Sequence, residues 1–308
     1  MCPDSIGHLI VGPDEHGVLR FGRDLIAAMG ATGAVGPVVQ STAAALLRDL
    51  EAELAPLTGA VLVHTQYTDR LFGARCEASA ELFTTVGAVL ARRGSGVSAT
   101  LHDLPIVPPA GAPVDPLALR RTAAYRRVAS ACAGVVVNSR HEQERLAAIL
   151  GGACPPVTVI PLPVDPPADR RPDPRPVRNV AVLGFLYPGK GHDEVLRAVA
   201  ALPPEIMMTA LGRPSDGHED LAGELQQLAR SLHRTLEVTG FVPDAELPAA
   251  LHAAGVPVAP HRTVSASGSI ATWLGAGRRP LVPDVAYTRE LEQRCPGALW
   301  LYTLTRPA

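Results

Sequence analysis

Val180-Ala181-Val182-Leu183-Gly184-Phe185-Leu186-Tyr187-Pro188-Gly189-Lys190-Gly191 is the stretch whose reading decides the fold. Its first residues are a continuous apolar run bounded by glycine, the pattern of a strand buried on both faces. A glycine-rich turn holding a lysine follows, and from His192 a helical pattern begins. Strand, glycine-rich turn and helix together make a common phosphate site. Backbone N–H groups and the helix dipole favour an anion there, and a lysine adds a mobile point charge. Lys190 is the single lysine of the 308 residues, while arginine fills the remaining basic positions. The competing explanation is chance survival of one lysine in an arginine-biased chain.

Outward from this stretch, short apolar runs alternate with amphipathic ones. Strands are expected at His8–Gly12, Ala60–His64, Val97–Leu101, Gly134–Val137 and Val157–Ile160 in the first half. In the second they are expected at Val180–Gly184, Ile206–Leu211, Leu236–Thr239, Val256–Ala259 and Pro280–Val282. Two helix starts carry a mechanism. Ser139-Arg140-His141-Glu142 is a capping box, and Asp244 suits an N-cap before Ala245–Ala254. Such alternation predicts parallel sheets covered by helices on both faces. The segment 161–178, Pro- and Arg-rich from Pro161 to Arg178, suits neither a helix nor a central strand. It reads as a linker between a domain at 1–160 and a second at 179–308. The expected fold class is therefore α/β, two doubly wound Rossmann-like domains facing a cleft, the C-terminal one short. Ligands of such sheets sit beyond the C-terminal ends of the strands.

The bulk numbers exclude several classes. Net charge is −2 with no basic stripe, and aromatic content is 4%, so nucleic-acid binding has little support. No apolar run approaches membrane-spanning length, and the first residues do not resemble a signal peptide. The five cysteines are scattered, without metal-ligand spacing, and fit free thiols in a reducing cytoplasm. The histidines form no evident zinc set, so neither a metal nor a cofactor is expected. The Arg, Ala, Pro and Gly bias is that of a GC-rich bacterial genome.

Several segments, taken in order, carry a family resemblance. They are Asp14-Glu15-His16-Gly17-Val18, Thr100-Leu101-His102-Asp103, Val137-Asn138-Ser139 and Val159-Ile160-Pro161-Leu162-Pro163-Val164-Asp165. In the second half they are Leu183 through Gly191, Gly240-Phe241-Val242-Pro243-Asp244-Ala245-Glu246-Leu247, and Ser265-Ala266-Ser267-Gly268-Ser269 running to Arg279-Pro280-Leu281-Val282. In these the chain resembles retaining glycosyltransferases of family 4, also called group 1, which have the two-Rossmann GT-B fold.

The resemblance implies a nucleotide-diphosphate sugar as donor and co-substrate, with transfer of a hexosyl group to a hydroxyl acceptor, a glycan, a lipid-linked molecule or a small molecule. Lys190 would neutralise the diphosphate as it leaves, and Gly17 would let backbone approach the phosphates. Gly268 and Ser269 open a helix whose N-terminus faces the same group. Phe241 and Val242 would contact the base through their backbone. His102, with Asp103 as orienting partner, would lie beside the transferring sugar. His64-Thr65-Gln66-Tyr67 and Thr68-Asp69-Arg70 would belong to loops that shape the acceptor site. Family members often act on lipid-linked acceptors at the inner leaflet, so a cytoplasmic protein peripheral to that membrane face fits the resemblance.

The chain also departs from the family. Its two glutamates, separated by seven residues, align with Ser265 and Trp273. An indole N–H only donates, so Trp273 cannot replace a ribose-gripping carboxylate. It either stacks on a base or sugar or fills the core. Phe185 stands where an arginine often assists the lysine, and Arg213 or Arg262 are nearby substitutes. Ser265, Ser267 and Ser269 remain able to donate to phosphate oxygens. His192 reads as capping or solvating its helix start. The pattern ends near Leu301-Tyr302, before the helix with which GT-B chains usually cross back. These departures motivate a second reading, an inactive GT-B scaffold serving as a partner or regulatory subunit. A sugar epimerase on the same fold lacks its carboxylate and histidine set here, and no Gly-x-Gly-x-x-Gly follows a strand.

Overall fold

The computed structural model describes residues 6–13, 16–32, 35–107, 115–152, 155–164 and 177–303. The chain divides into two compact units, Met1–Pro161 and Leu162–Ala308. Most of the proline-rich segment expected as a linker, 165–176, lies outside the described residues, as do Asp14 and Glu15.

In the first unit the order is β1 (Ile6–Val11), α1 (Gly17–Gly30), β2 (Val35–Ser41), α2 (Ala43–Arg48), α3 (Leu50–Leu54), β3 (Leu62–Tyr67) and α4 (Cys76–Arg92). Then come β4 (Gly96–Leu101), α5 (Pro116–Ala131), β5 (Gly134–Val137), α6 (Arg140–Leu150) and β6 (Val157–Val159). The sheet is parallel, in the order β2-β1-β3-β4-β5-β6. Strand side chains Leu9, Val63, Ala99 and Val135 pack with Leu19, Phe83, Val86 and Leu146 from the helices. Tyr67 meets Phe72, Phe83 and Tyr125 ring to ring, with centroids 5.3–5.8 Å apart. At α6 Ser139 makes its half of the expected capping box: its Oγ accepts from the Glu142 N–H at 3.0 Å. The buried Glu142 carboxylate also accepts from the Asn138 N–H at 2.7 Å.

The second unit runs β7 (Asn179–Leu183), α7 (His192–Val199), β8 (Met207–Leu211), α8 (Leu221–Ser231), β9 (Leu236–Val238) and α9 (Leu247–Ala253). It continues with β10 (Val256–Val258), α10 (Gly268–Gly275), β11 (Leu281–Pro283), α11 (Ala286–Arg294) and β12 (Trp300–Tyr302). Its parallel sheet has the order β12-β11-β10-β7-β8-β9, the doubly wound arrangement in which the first strand is central. Arg278 donates to four carbonyls around the end of α9, those of Leu251, His252, Ala254 and Gly255, at 2.6–2.9 Å. It thereby satisfies acceptors that a helix C-terminus otherwise leaves bare.

Two strands were not legible in the sequence, β2 and β12, and both are sheet edges. β2 contains Gly36-Pro37, which an edge tolerates because no neighbour needs the missing N–H. β12 is short and largely exposed, with the Arg279 guanidinium 3.6 Å above the Trp300 ring. The expected helix start at Asp244 is corrected. α9 begins at Leu247 with Glu246 at its N-cap. Had Asp244 been the cap, Pro248 would occupy the first position whose N–H must bond within the helix, and proline has none. Starting at Leu247 moves Pro248 into the first turn, where no such N–H is required.

Candidate functional site

Each sheet has one place where strand order reverses, and a doubly wound sheet opens a crevice there at its C-terminal edge. In the first unit that place lies between β1 and β3. β1 leaves through Gly12, at φ +129°, where an added methyl would stand 2.8 Å from Leu71. The chain then enters α1 at Gly17, with His16 as N-cap, its Nδ1 accepting from the Val18 N–H at 3.3 Å. A methyl at Gly17 would meet nothing within 4 Å, so the protein's own packing does not call for glycine there.

His102 follows β4. Its Nε2 stands 2.8 Å from Gln66 Oε1, and Phe21 meets its ring edge-on. The amide oxygen accepts, so Nε2 carries the proton and Nδ1 keeps a lone pair. Burial, reinforced by His16 and His64, pushes the imidazole down to about 3, leaving it neutral at physiological pH. Tyr125 donates its hydroxyl to the His102 carbonyl. The orienting partner is thus Gln66, a correction to the expected Asp103. Asp103 holds a left-handed backbone at φ +54° with an exposed side chain, and its carbonyl accepts from Arg121 at 2.8 Å. Arg121 in turn pairs with Asp69.

Gln66 reaches His102 because α1 carries Gly22 opposite it, where a methyl would lie 2.9 Å from Gln66 Cγ. On the same face of the sheet His64 bonds Ser98 and Thr100, each at 3.0 Å. His64 through Tyr67 are strand residues of β3 rather than the loop expected from the sequence. Their alternation explains the difference: His64 and Gln66 point to one face, while Thr65 and Tyr67 point to the other.

In the second unit the order reverses between β7 and β10. Gly184, at φ +110°, ends β7. Gly212, after β8, comes so close that a methyl on it would stand 2.2 Å from the Gly184 carbonyl oxygen. The turn continues through Gly189 and Gly191, both in the left-handed region, and α7 starts at His192. Lys190 folds back over this turn. Its Nζ lies 3.4 Å from where a Gly184 methyl would be and 5.6 Å from the Tyr187 ring centre. The side chain is buried, and among the described residues no carboxylate pairs with it. Burial pushes its ammonium down to about 8.

β10 leads into His261 and on to α10. A methyl at Gly191 would stand 2.9 Å from the Pro260 ring, so the lysine turn and the segment before His261 lie flush. His261 Nε2 is 2.9 Å from Ser267 Oγ, which caps α10 by accepting from the Ile270 N–H and lies 3.1 Å from Ser269 Oγ. Gly268, the first residue of α10, has open space like Gly17. The structure therefore assembles Lys190, Ser267, Gly268 and Ser269 on adjoining loops, with Ser265 buried on the same loop. Phe241 and Val242 follow β9, two strands from the reversal, Phe241 exposed and Val242 half-buried.

Of the two roles expected for Trp273, the structure gives it the core. It is fully buried among Ala181, Leu183, Leu211 and Leu251 and fills the core. Phe185 carries Arg213 over its ring at 5.0 Å, and Arg213 pairs with Asp216 at 2.8 Å. Arg262 pairs with Glu194 at 3.1 Å. His192 is neither a cap nor solvated. It is buried, and the N-cap is Gly191. His261 carries no sequence motif; its position directly after an apolar strand at the expected edge was the available signal. Among the described residues no three His, Cys, Asp or Glu side chains group to hold a metal, and no helix is long and apolar enough to cross a membrane.

No family model and no curated protein matches the sequence. Solved structures do match in fold. HepE of Anabaena, solved in complex with UDP, aligns at TM-score 0.68 and 16% identity, covering 97% of this chain and 85% of its own. The sucrose-phosphate synthase of Thermosynechococcus elongatus aligns at 0.64 and 18%, covering 91% of this chain and 82% of its own. The lipopolysaccharide outer core galactosyltransferase WaaB, in its apo form, aligns at 0.58 and 11%, covering 91% and 80%. HepE has also been solved with UDP-glucose. The chain thus has the fold expected from the resemblance, the α/β GT-B fold of two Rossmann-like domains that these glycosyltransferases share.

Proposed function

We propose that this protein is a glycosyltransferase that moves a hexosyl group from a nucleotide-diphosphate sugar to a hydroxyl acceptor, with retention of configuration and without a metal. The observation that carries this reading is Lys190, a buried ammonium with no carboxylate partner among the described residues, set where the second sheet reverses and α7 begins. A buried charge without a partner is costly, and an anionic ligand supplies the missing one. As the bond from the anomeric carbon to phosphate oxygen breaks, negative charge builds on the diphosphate. Lys190 and the N-termini of α7 and α10 stabilise that charge more than they stabilise the intact donor, which lowers the barrier. Gly17 and Gly268 leave room for phosphates to approach backbone N–H groups, and Ser265 and Ser269 add hydroxyl donors. Phe241 and Val242 offer backbone to the base.

His102 is neutral and rigidly oriented, so its role is to hydrogen-bond a sugar hydroxyl rather than to remove a proton. Asp103, on its strained backbone beside it, contributes an exposed carboxylate to the same end. HepE, solved with UDP-glucose, and WaaB, called a galactosyltransferase, support this reading by fold alone. The test is release of nucleoside diphosphate from UDP-, GDP- and ADP-sugars in the presence of hydroxyl acceptors, with product configuration read by NMR. Release from one donor, lost in Lys190→Ala, is expected.

One observation favours the second reading, a scaffold that binds without turnover. Trp273, fully buried, occupies the place of a ribose-gripping carboxylate. Donor binding with no release under any acceptor would establish that role.

A further inference from the structure

The loops around Lys190 hold unmet hydrogen-bonding capacity of their own. His192 is 2% exposed, and both of its ring nitrogens are buried without a partner. His261 is 6% exposed; its Nε2 bonds Ser267, and its Nδ1 is buried and bare. Buried polar atoms are almost always satisfied, so three orphaned imidazole nitrogens beside a buried ammonium with no carboxylate call for an explanation. They are neighbours in space. Gly191, which separates Lys190 from His192, packs against Pro260, which precedes His261. The charge of Lys190 acts on both imidazoles, and that of His192 acts on His261.

The nearby arginines are committed elsewhere, Arg213 to Asp216 and Arg262 to Glu194. The other charged groups on α7 are Asp193, exposed, and Glu194, paired, in its first turn, and Arg197, exposed, in its last. Neither carboxylate offers the imidazoles an anion from within the protein.

We propose that His192 and His261 are phosphate-binding residues which, with Lys190, grip the diphosphate of the donor; this rests on the donor-site reading above. With Ser267 Oγ donating to His261 Nε2, the ring proton sits on Nδ1 and points an N–H donor at a phosphate oxygen. His192 has one N–H to give in either tautomer. Without ligand, burial and the neighbouring ammonium keep both rings neutral. A bound diphosphate reverses that balance and favours imidazolium, so binding draws protons from solution.

The experiment is calorimetric titration with inorganic pyrophosphate, UDP, GDP and ADP, in two buffers of different ionisation enthalpy, which counts protons taken up. In wild type at neutral pH we expect net proton uptake on binding. His192→Leu removes only unpartnered nitrogens, so it should melt no lower than wild type yet bind about tenfold or more weakly. His261→Leu should weaken binding similarly. His192→Gln, which hydrogen-bonds but takes no proton, should keep part of the affinity and lower the proton count. Variants that bind as wild type does, with an unchanged proton count, while Lys190→Ala loses binding, would overturn the inference and leave the donor site standing. Absence of binding by folded wild type for all four probes overturns both.

Discussion

The two sheets reverse their strand order in the same way, yet the histidines on the loops leaving the strands there differ in how they are held. Beside the first, His102 is held at two points: Gln66 Oε1 accepts from its Nε2–H, and Tyr125 donates to its carbonyl. Beside the second, both nitrogens of His192 and one of His261 are buried without a hydrogen-bond partner, and the buried Lys190 has no carboxylate beside it among the described residues. The engaged histidine is a finished piece of scaffold that presents a fixed imidazole. The Lys190 cluster costs stability in the ligand-free protein and is repaid by an anion. One half is preorganised for orientation, the other is poised for charge.

This contrast can be attacked in order of severity. Trp273→Glu restores a carboxylate where the family resemblance would put one, but in a closed apolar core. It should cost about 4 kcal/mol or more and unfold the second unit, seen as loss of its melting transition. A folded variant with tighter nucleotide binding would show that this position is open to ligand. Lys190→Met should do the reverse, raising stability by about 2 kcal/mol in chemical denaturation at neutral pH while abolishing nucleotide binding. Destabilisation by Lys190→Met would mean the ammonium already has a partner.

Gln66→Leu is the matching cut in the first unit. It strands the His102 N–H in a buried site and should lower stability by about 2 kcal/mol, against no loss for His192→Leu. Equal effects of the two substitutions would erase the contrast.

Titration gives a finer view. The folded-state values of His102, near 3, and of His64 and His192, near 4, lie below the ordinary histidine range. Between roughly pH 6.5 and 4 the unfolded chain therefore binds more protons, and stability should fall as pH falls, by up to about 1.4 kcal/mol per pH unit for each histidine. Lys190, pushed down to about 8, has the same sign at higher pH: stability should rise from about pH 8 towards 10.5, and Lys190→Met should flatten that rise. The smallest effect belongs to Gly17→Ala. With open space around it, stability should change by no more than about 0.5 kcal/mol, while a methyl at the helix start weakens nucleotide binding.

The parts visible in the sequence were those with local signatures. The apolar runs of β7 and β8, the Ser139 cap and the Gly189-Lys190-Gly191 turn all follow from neighbouring residues. β2 and β12 escaped because edge strands need neither continuous apolar runs nor every backbone donor. Gln66 was misplaced in a loop because its pairing with His102 depends on β3 lying beside β4, which is a matter of register. His192 and His261 were missed for a related reason. A histidine at a helix start reads as solvated until the Pro260 segment closes over Gly191, and that contact joins residues about 70 positions apart. The sequence does not decide between the two roles of Trp273, because burial is a property of the assembled core.

The most direct test is thermal stabilisation of wild type and Lys190→Ala by UDP, GDP, ADP and their common sugar conjugates. A concentration-dependent rise of several degrees is expected with one nucleotide family and is absent in the variant, which identifies the base and puts the diphosphate at the Lys190 cluster. No shift with any of them, in wild-type protein shown to be folded, would contradict it.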